Sequence, residues 1–408
     1  MDWSPLWTYA LDWANLLLRW AHVITAIAWV GSSFYFVWLD NTLTRPTDPA
    51  LQGKGVGGEL WAVHGGGFYN PQKYLGAPPT VPANLHWFYW ESYSTWLTGF
   101  ALFTVLYLFN AGTFLIDKTV HNWGPVAAIH TALAFLAGFW LIYDVICRTL
   151  GKGPKGDARV GAAVFAVVVF ASWLACQLFA GRAAFLLVGA MIATAMSANV
   201  FFWIIPGQRK VVAAMTSGEA YDANALAIHG KRGKQRSVHN TYFTLPVIFA
   251  MLSNHYSFLY THEHRWVLLF VMMFAGALIR QFFVQRHAFH LGRAGNPWPF
   301  AAVGVVLIAG VIVALKPAAP KVSAAPAAPV AFAQVQSLVS QHCLTCHGAQ
   351  VQMKNVRLDS PELIKQHAQN MYQQVVVTKQ MPMGNATGLT EEDRALLGRW
   401  FQAGARLD

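Results

Sequence analysis

Cys343, Cys346 and His347 stand together in the segment HCLTCHG. Two thiols separated by two residues and followed at once by an imidazole form the C-x-x-C-H pattern of covalent haem attachment. In that arrangement both thiols bond the porphyrin edge and the imidazole reaches the iron from one face. A C-x-x-C pair alone would serve zinc or thiol redox chemistry equally well. The added histidine points to haem c, and therefore to a chain through which electrons pass.

The opposite face of such a haem needs a ligand from well downstream. The segment KQMPMGNATGLT offers Met381 and Met383. A thioether ligand raises the reduction potential, which suits an electron acceptor. The segment resembles the Met-Pro turn of small bacterial cytochromes c, which favours Met381 as ligand and leaves Met383 a packing role. The following run, LTEEDRALLGRWFQAG, predicts a helix capped by Thr390 with Asp393 in its first turn.

These residues need elements to hold them. The chain has 408 residues, 55% hydrophobic and only 12% charged, against about a quarter charged in a soluble domain. Apolar runs of about 20 residues suit membrane-crossing helices. Eight such runs lie near 16–38, 93–115, 126–146, 160–179, 183–205, 242–256, 266–284 and 300–315; the sixth is short and has an alternative start at Ser237. Tryptophan and tyrosine at many of their ends fit an interfacial belt. The predicted fold class is all-α: a polytopic transmembrane bundle of about eight spans over 1–315, a Pro/Ala-rich linker over 316–330, and a small α-helical cytochrome c domain over 331–408. Residues 1–13 lack the basic start and small-residue cleavage site of a secretory signal.

The net charge of +11 does not imply nucleic acid, because the basic residues sit in short loops between apolar runs. Arg148, Lys152, Lys155 and Arg159 follow the third run; Arg209, Lys210, Lys231, Arg232, Lys234 and Arg236 follow the fifth; Arg286 and Arg293 follow the seventh. Placing basic loops in the cytoplasm puts both termini outside and residues 40–86 inside. The expected location is a bacterial inner membrane, with the cytochrome domain on the periplasmic side. Haem c is attached outside the bacterial cytoplasm, which agrees with that topology.

Ionisable residues within apolar runs are functional candidates by default. His22, His130 and His255 fall at the outer side of runs one, three and six, and His239 at the inner side of run six. Matched depth pairs His22 with His130 or with His255 as axial ligands of haem b; the alternative for each is a hydrogen bond to a neighbouring helix. Cys147 and Cys176 read as small core residues. A donor on the cytoplasmic side would need a redox group inside the bilayer, because the hydrocarbon core is about 30 Å thick.

The whole chain resembles the bacterial membrane-bound urate oxidase (urate dehydrogenase) family, which joins an eight-span domain to a C-terminal cytochrome c. The resemblance lies in RWAHVITAIAWVGSSFYFVWLDNTL, ELWAVHGGGFYNPQKYL, HWFYWESYSTWLTGFALF, SVHNTYFTLPVIFAMLSNHY, and the final CLTCHG with MPMGNATGLT. It implies oxidation of urate to 5-hydroxyisourate, with electrons passed to the cytochrome and no hydrogen peroxide made. A weaker resemblance, to the membrane protoporphyrinogen-oxidase family, rests on the span-one histidine and HNTYFTLP. It maps a haem b ligand onto His22, and departs from that family where an acid is replaced by Thr241.

A urate site needs an aromatic face, hydrogen-bond donors, a positive group and a base. The stretch WAVHGGGFYNPQKYLG with NLHWFYWESY supplies His64, Phe68, Tyr69, Asn70, Gln72, Lys73, His86 and Glu91. Glu91, Lys73 and His64 are the candidate catalytic residues, with Glu91 the proton acceptor, and Gly65 to Gly67 would let backbone approach the ligand. The competing view of the loop is an interfacial plug. Two other functions compete: a quinol-to-cytochrome c module, and a permease with a redox-sensing cytochrome. Expected partners are urate, the lipid bilayer and an acceptor such as another cytochrome c or a terminal oxidase.

Overall fold

A run that is apolar on every face has no polar side to turn towards water, so it is stable only as a helix whose backbone satisfies itself. All eight expected runs are helical in the computed structural model, which describes residues 4–217, 219, 222–316 and 330–408. They are α1 (Ser4–Thr42), α2 (Trp90–Phe103), α3 (Pro125–Leu150), α4 (Gly156–Leu178), α5 (Gly181–Thr216), α6 (Ala223–Ser253), α7 (Arg265–His290) and α8 (Trp298–Ala314). Among the described residues, α1, α3, α4, α5 and α7 are long and apolar enough to cross a membrane, and α8 is a shorter apolar helix. α2 runs on through a π-helical turn, Thr104–Leu108, to a short helix, Ala111–Phe114. The expected linker falls almost wholly on 317–329, outside the described residues.

The sixth helix starts far upstream of its apolar part. The Asp222 carboxylate accepts hydrogen bonds from the backbone N–H groups of Asn224 and Ala225 at 2.8 and 3.2 Å, a side-chain N-cap. The basic residues Lys231, Arg232 and Lys234 therefore lie on helix, not in a loop. One end of the bundle carries most of the basic residues and residues 43–89; it is called the basic end below.

α5 is central: 61% of its apolar window is buried, against 0% for α1. α5 packs on α3, α4 and α6, whereas α1 packs mainly on α2 and α7. Trp20, Val23, Ile24 and Ile27 leave a broad apolar face of α1 exposed. Cys147 and Cys176 are buried in the core. Residues 43–89 carry two antiparallel pairs, β1 (Val56–Glu59) with β4 (Gln72–Tyr74), and β2 (Ala62–His64) with β3 (Gly67–Tyr69).

Near the basic end the core turns polar. Asp144 Oδ1 accepts from Arg236 at 2.7 Å and from Trp203 Nε1 at 2.8 Å, while Oδ2 meets Arg148 Nε at 2.6 Å. Arg236 also reaches Asn199 Oδ1 at 3.3 Å, and Asn199 donates to Tyr143 and to Asn240 at 3.1 and 2.9 Å. α3, α5 and α6 are thus tied together by groups that each have a partner. Removing one member of a buried ion pair leaves the other charge stranded, at a cost of about 3–5 kcal/mol.

Residues 330–408 form a second core. Phe332, Val335, Leu338 and Val339 place the apolar stripe of α9 (Phe332–His342) against Leu397 and Trp400 of α10 (Glu391–Gln402).

Asp144→Asn is expected to lower stability by about 3–5 kcal/mol, because Arg236 loses its counter-charge. Arg148→Gln is expected to cost less than about 1 kcal/mol, because the Arg148 side chain is 60% exposed. Thermal unfolding of the detergent-purified variants checks the contrast; equal effects would contradict it.

Candidate functional site

The imidazole of His22 is held on α2. Its Nδ1 lies 3.1 Å from the Thr95 carbonyl oxygen and 3.3 Å from Thr98 Oγ1. A carbonyl oxygen can only accept, so Nδ1 carries the proton and Nε2 keeps its lone pair. Gly99 leaves the room this needs: a Cβ there would come within 2.7 Å of His22 Cε1. A fixed ring with a free Nε2 is the arrangement of an axial metal ligand whose other nitrogen is anchored by a backbone acceptor.

The expected partner His130 does not face His22. Its ring bonds the Val126 carbonyl one turn back on its own helix, at 2.8 Å, and is exposed. α3 packs on α4 and α5, not on α1. Equal depth fixes position along a helix but says nothing about rotation around it, which is why the pairing fails. His255 lies just beyond the end of α6 and is exposed. His239 is bonded inside the polar core, with Nδ1 2.8 Å from the Tyr143 hydroxyl. That hydroxyl also accepts from Asn199, so the His239 Nδ1 is engaged inside the polar core.

In the C-terminal region, Cys343, Cys346 and His347 fall on and beside one short helix, Leu344–His347. His347 Nδ1 lies 3.2 Å from the Val356 carbonyl oxygen, so this ring also presents an unprotonated Nε2. Cys343 borders the core and Cys346 is exposed, both as free thiols. Burial pushes the Cys343 thiol up to about 11. Met381 packs on the same core, and its carbonyl oxygen accepts from Arg394 Nη1 at 2.8 Å. Arg394 is carried by α10, whose capping box is complete: Thr390 Oγ1 accepts from the Asp393 N–H at 3.1 Å and Asp393 Oδ2 from the Thr390 N–H at 3.0 Å. Two thiols, an oriented imidazole and an anchored thioether segment are a donor set that fits haem c. The Met383–Asn385 turn beside Met381 rests against Ala111–Phe114 of the bundle.

The loop residues are used differently from the sequence expectation. Gly65 and Gly66 are the central pair of the β2–β3 turn, with φ of +58° and +79°. A two-residue hairpin turn of that kind needs positive φ at both positions, so the glycines serve the turn and not a ligand. His64 stands exposed at its corner. Lys73 is exposed and pairs with Asp40 at 2.7 Å. Asn70 donates to Glu59 Oε2 at 3.0 Å and Gln72 to Asn70 Oδ1 at 2.7 Å, so these polar groups hold the loop itself. Glu91 is half-buried in the first turn of α2, where a helix N-terminus favours a carboxylate. Among the described residues, no hydrogen bond or ion pair joins His64, Lys73 and Glu91.

Two features escaped the sequence reading. Asp144 and Arg236 looked like part of an apolar run and a basic loop, and they form the buried pair above. Arg280 is buried in the middle of α7, with its Cζ 3.6 Å from the centre of the Phe34 ring on α1. A lone arginine inside the run 266–284 was the available signal.

The family model for the urate oxidase N-terminal domain matches residues 8–316. No curated protein and no solved structure among those compared matches the chain.

Hydrogen bonds from Thr390 hold the Asp393 carboxyl below the usual carboxylate range. The stability it lends α10 is therefore present above that range and is lost as pH falls through the depressed value. Hydrogen-exchange protection of the amides in 379–388, relative to their intrinsic rates at each pH, should fall on acidification. Asp393→Ala should lower it already at neutral pH, at a cost of about 1 kcal/mol. Exchange rates unchanged in the variant would contradict this coupling.

Proposed function

Because the chain belongs to the urate oxidase N-terminal family, we propose that it is a membrane-bound urate dehydrogenase. In this reading it oxidises urate to 5-hydroxyisourate and passes the electrons through haem b to a haem c covalently held by residues 331–408. Hydrogen peroxide is not a product. One observation carries the reading: a family match to urate oxidation over 8–316 is joined, in one chain, to a C-x-x-C-H segment whose histidine is already oriented for iron.

Conversion of uric acid and one water to 5-hydroxyisourate releases two protons and two electrons. A substrate bound as its monoanion has already lost one proton, and a base at the site takes the other. Glu91 is the proposed acceptor: its carboxylate has no hydrogen-bond partner among the described residues, and it sits at the basic end, where cationic side chains draw an anion in. His64 and Lys73 are exposed and share no hydrogen bond or ion pair with Glu91 among the described residues, so this step assigns them no role.

The electrons must leave one at a time. Haem b and haem c supply one-electron acceptance when bound. His22 would hold the first through its free Nε2, with His255 the proposed partner from the far end of α6, and the Thr95 carbonyl keeps the imidazole in the binding tautomer. Cys343, Cys346, His347 and Met381 would hold the second. Arg394 fixes the backbone of Met381. This arrangement fits an orientation with the basic end in the cytoplasm and the haem c region in the periplasm. The terminal acceptor is then a periplasmic cytochrome c or an oxidase.

A lipid-soluble quinol is the second reading. A cleft of about 250 Å³ opens between α4, α6 and α7, lined by apolar side chains with His239 and Tyr242 at its polar edge. An apolar pocket with few polar groups is a common ligand site.

The purified full-length protein is expected to consume urate in air with an added cytochrome c as acceptor, reducing about two equivalents per urate and forming no peroxide. Peroxide formed in step with urate, or turnover by quinol alone, would overturn the reading. His22→Ala should abolish b-type absorption bands and urate-dependent cytochrome reduction while leaving the covalent haem c bands. His130→Ala should leave both sets of bands; b-type bands surviving in His22→Ala would exclude that ligand.

A further inference from the structure

Three arginines among the described residues are buried: Arg236, Arg280 and Arg394. Two of them explain themselves. Arg236 has the Asp144 carboxylate, and Arg394 donates to the carbonyl oxygens of Val375 and Met381. Arg280 has neither. It is 3% exposed, no carboxylate pairs with it among the described residues, and its Nε and Nη2 have no hydrogen-bond partner.

An unpaired buried guanidinium costs several kcal/mol, roughly the penalty for any stranded interior charge. The Phe34 ring, 3.6 Å from Cζ, covers a face of the guanidinium and recovers part of that by a cation–π contact. It leaves the in-plane N–H groups untouched. The two unpartnered atoms are adjacent: Nε–H and the Nη2–H on the same side point in parallel and make the side-on fork that grips two neighbouring acceptor atoms. Tyr242 on α6 donates to Gln281 on α7, so hydrogen-bonding groups from a third helix meet at the same junction.

We propose that Arg280, walled by Phe34, is the subsite that recognises the substrate anion at the junction of α1, α6 and α7. This rests on the urate reading above. A planar oxopurine monoanion presents a ring nitrogen and an adjacent carbonyl oxygen along one edge, and both are acceptors for the Nε/Nη2 fork. The bicyclic ring then lies in the guanidinium plane, alongside the flat aromatic wall. Position supports the assignment. Arg280 is ten residues from the end of α7 at His290, roughly 15 Å along the helix from the basic end, and among the described buried arginines it is the one without a carboxylate or carbonyl partner. Phe34 and His22 are twelve residues apart on α1, roughly 18 Å.

The test uses the full-length protein in nanodiscs, fully reduced beforehand so that urate binds without turnover, and radiolabelled urate in equilibrium dialysis. Arg280→Gln removes the charge and the fork; Arg280→Lys keeps the charge and loses the fork. Arg280→Gln is expected to weaken urate binding by about 10- to 100-fold, with Arg280→Lys between it and the parent, and with b- and c-type bands unchanged in both. Unchanged affinity in Arg280→Gln overturns the subsite. So does weaker binding accompanied by loss of the b-type bands, which would assign Arg280 to a haem carboxylate. Absence of saturable urate binding by the parent protein would instead sink the urate reading itself.

Discussion

A charge inside an apolar helix bundle must be given a counter-charge or a full set of hydrogen bonds, and this constraint orders the whole molecule. Asp144 and Arg236 satisfy each other at 2.7 Å and enlist Arg148, Trp203, Asn199, Tyr143, Asn240 and His239 around them. The network fixes how α3, α5 and α6 are rotated, because every member needs its partner on a particular face. Apolar packing alone tolerates small rotations; a satisfied polar network does not. Helices α1, α2 and α7 are packed around that fixed centre, and the candidate site lies among them.

The same accounting applied to imidazoles separates structure from chemistry. His239 is hydrogen-bonded to the Tyr143 hydroxyl and becomes part of the polar core. His22 and His347 each face a backbone carbonyl, so both present a bare Nε2. Two unrelated parts of the chain thus prepare a histidine in the same way, one within the bundle and one beside the C-x-x-C pair. In the proposed function these are the two stations of an electron path that begins towards the basic end and leaves at the Met381 segment, where the C-terminal region touches the bundle.

Much of this was legible in the residues. Eight apolar runs became eight helices because a segment without a polar face has few other ways to satisfy its backbone. The cap on Thr390, the C-x-x-C-H cluster and the buried character of Cys147 and Cys176 are local properties, and local patterns carry them. The errors have separate physical causes. Pairing His22 with His130 assumed a rotational relation between α1 and α3 that depth does not contain. Reading Gly65–Gly67 as a ligand loop overlooked that two of these glycines are needed for a tight hairpin turn. Arg236 counted as loop charge because the helix start at Asp222 lies in a polar stretch with no hydrophobic period. Arg280 was hidden by its neighbours, since one arginine hardly alters the hydropathy of a long apolar run.

The central claim is that reducing equivalents from urate reach a haem bound to Cys343 and Cys346 through this chain alone. Anaerobic mixing of the purified, oxidised protein with urate, followed in the haem absorption bands, tests it most directly. The account predicts reduction of b-type and then c-type bands, at about one urate for every two haem irons reduced. Bands that stay oxidised with urate but reduce fully with dithionite would contradict it.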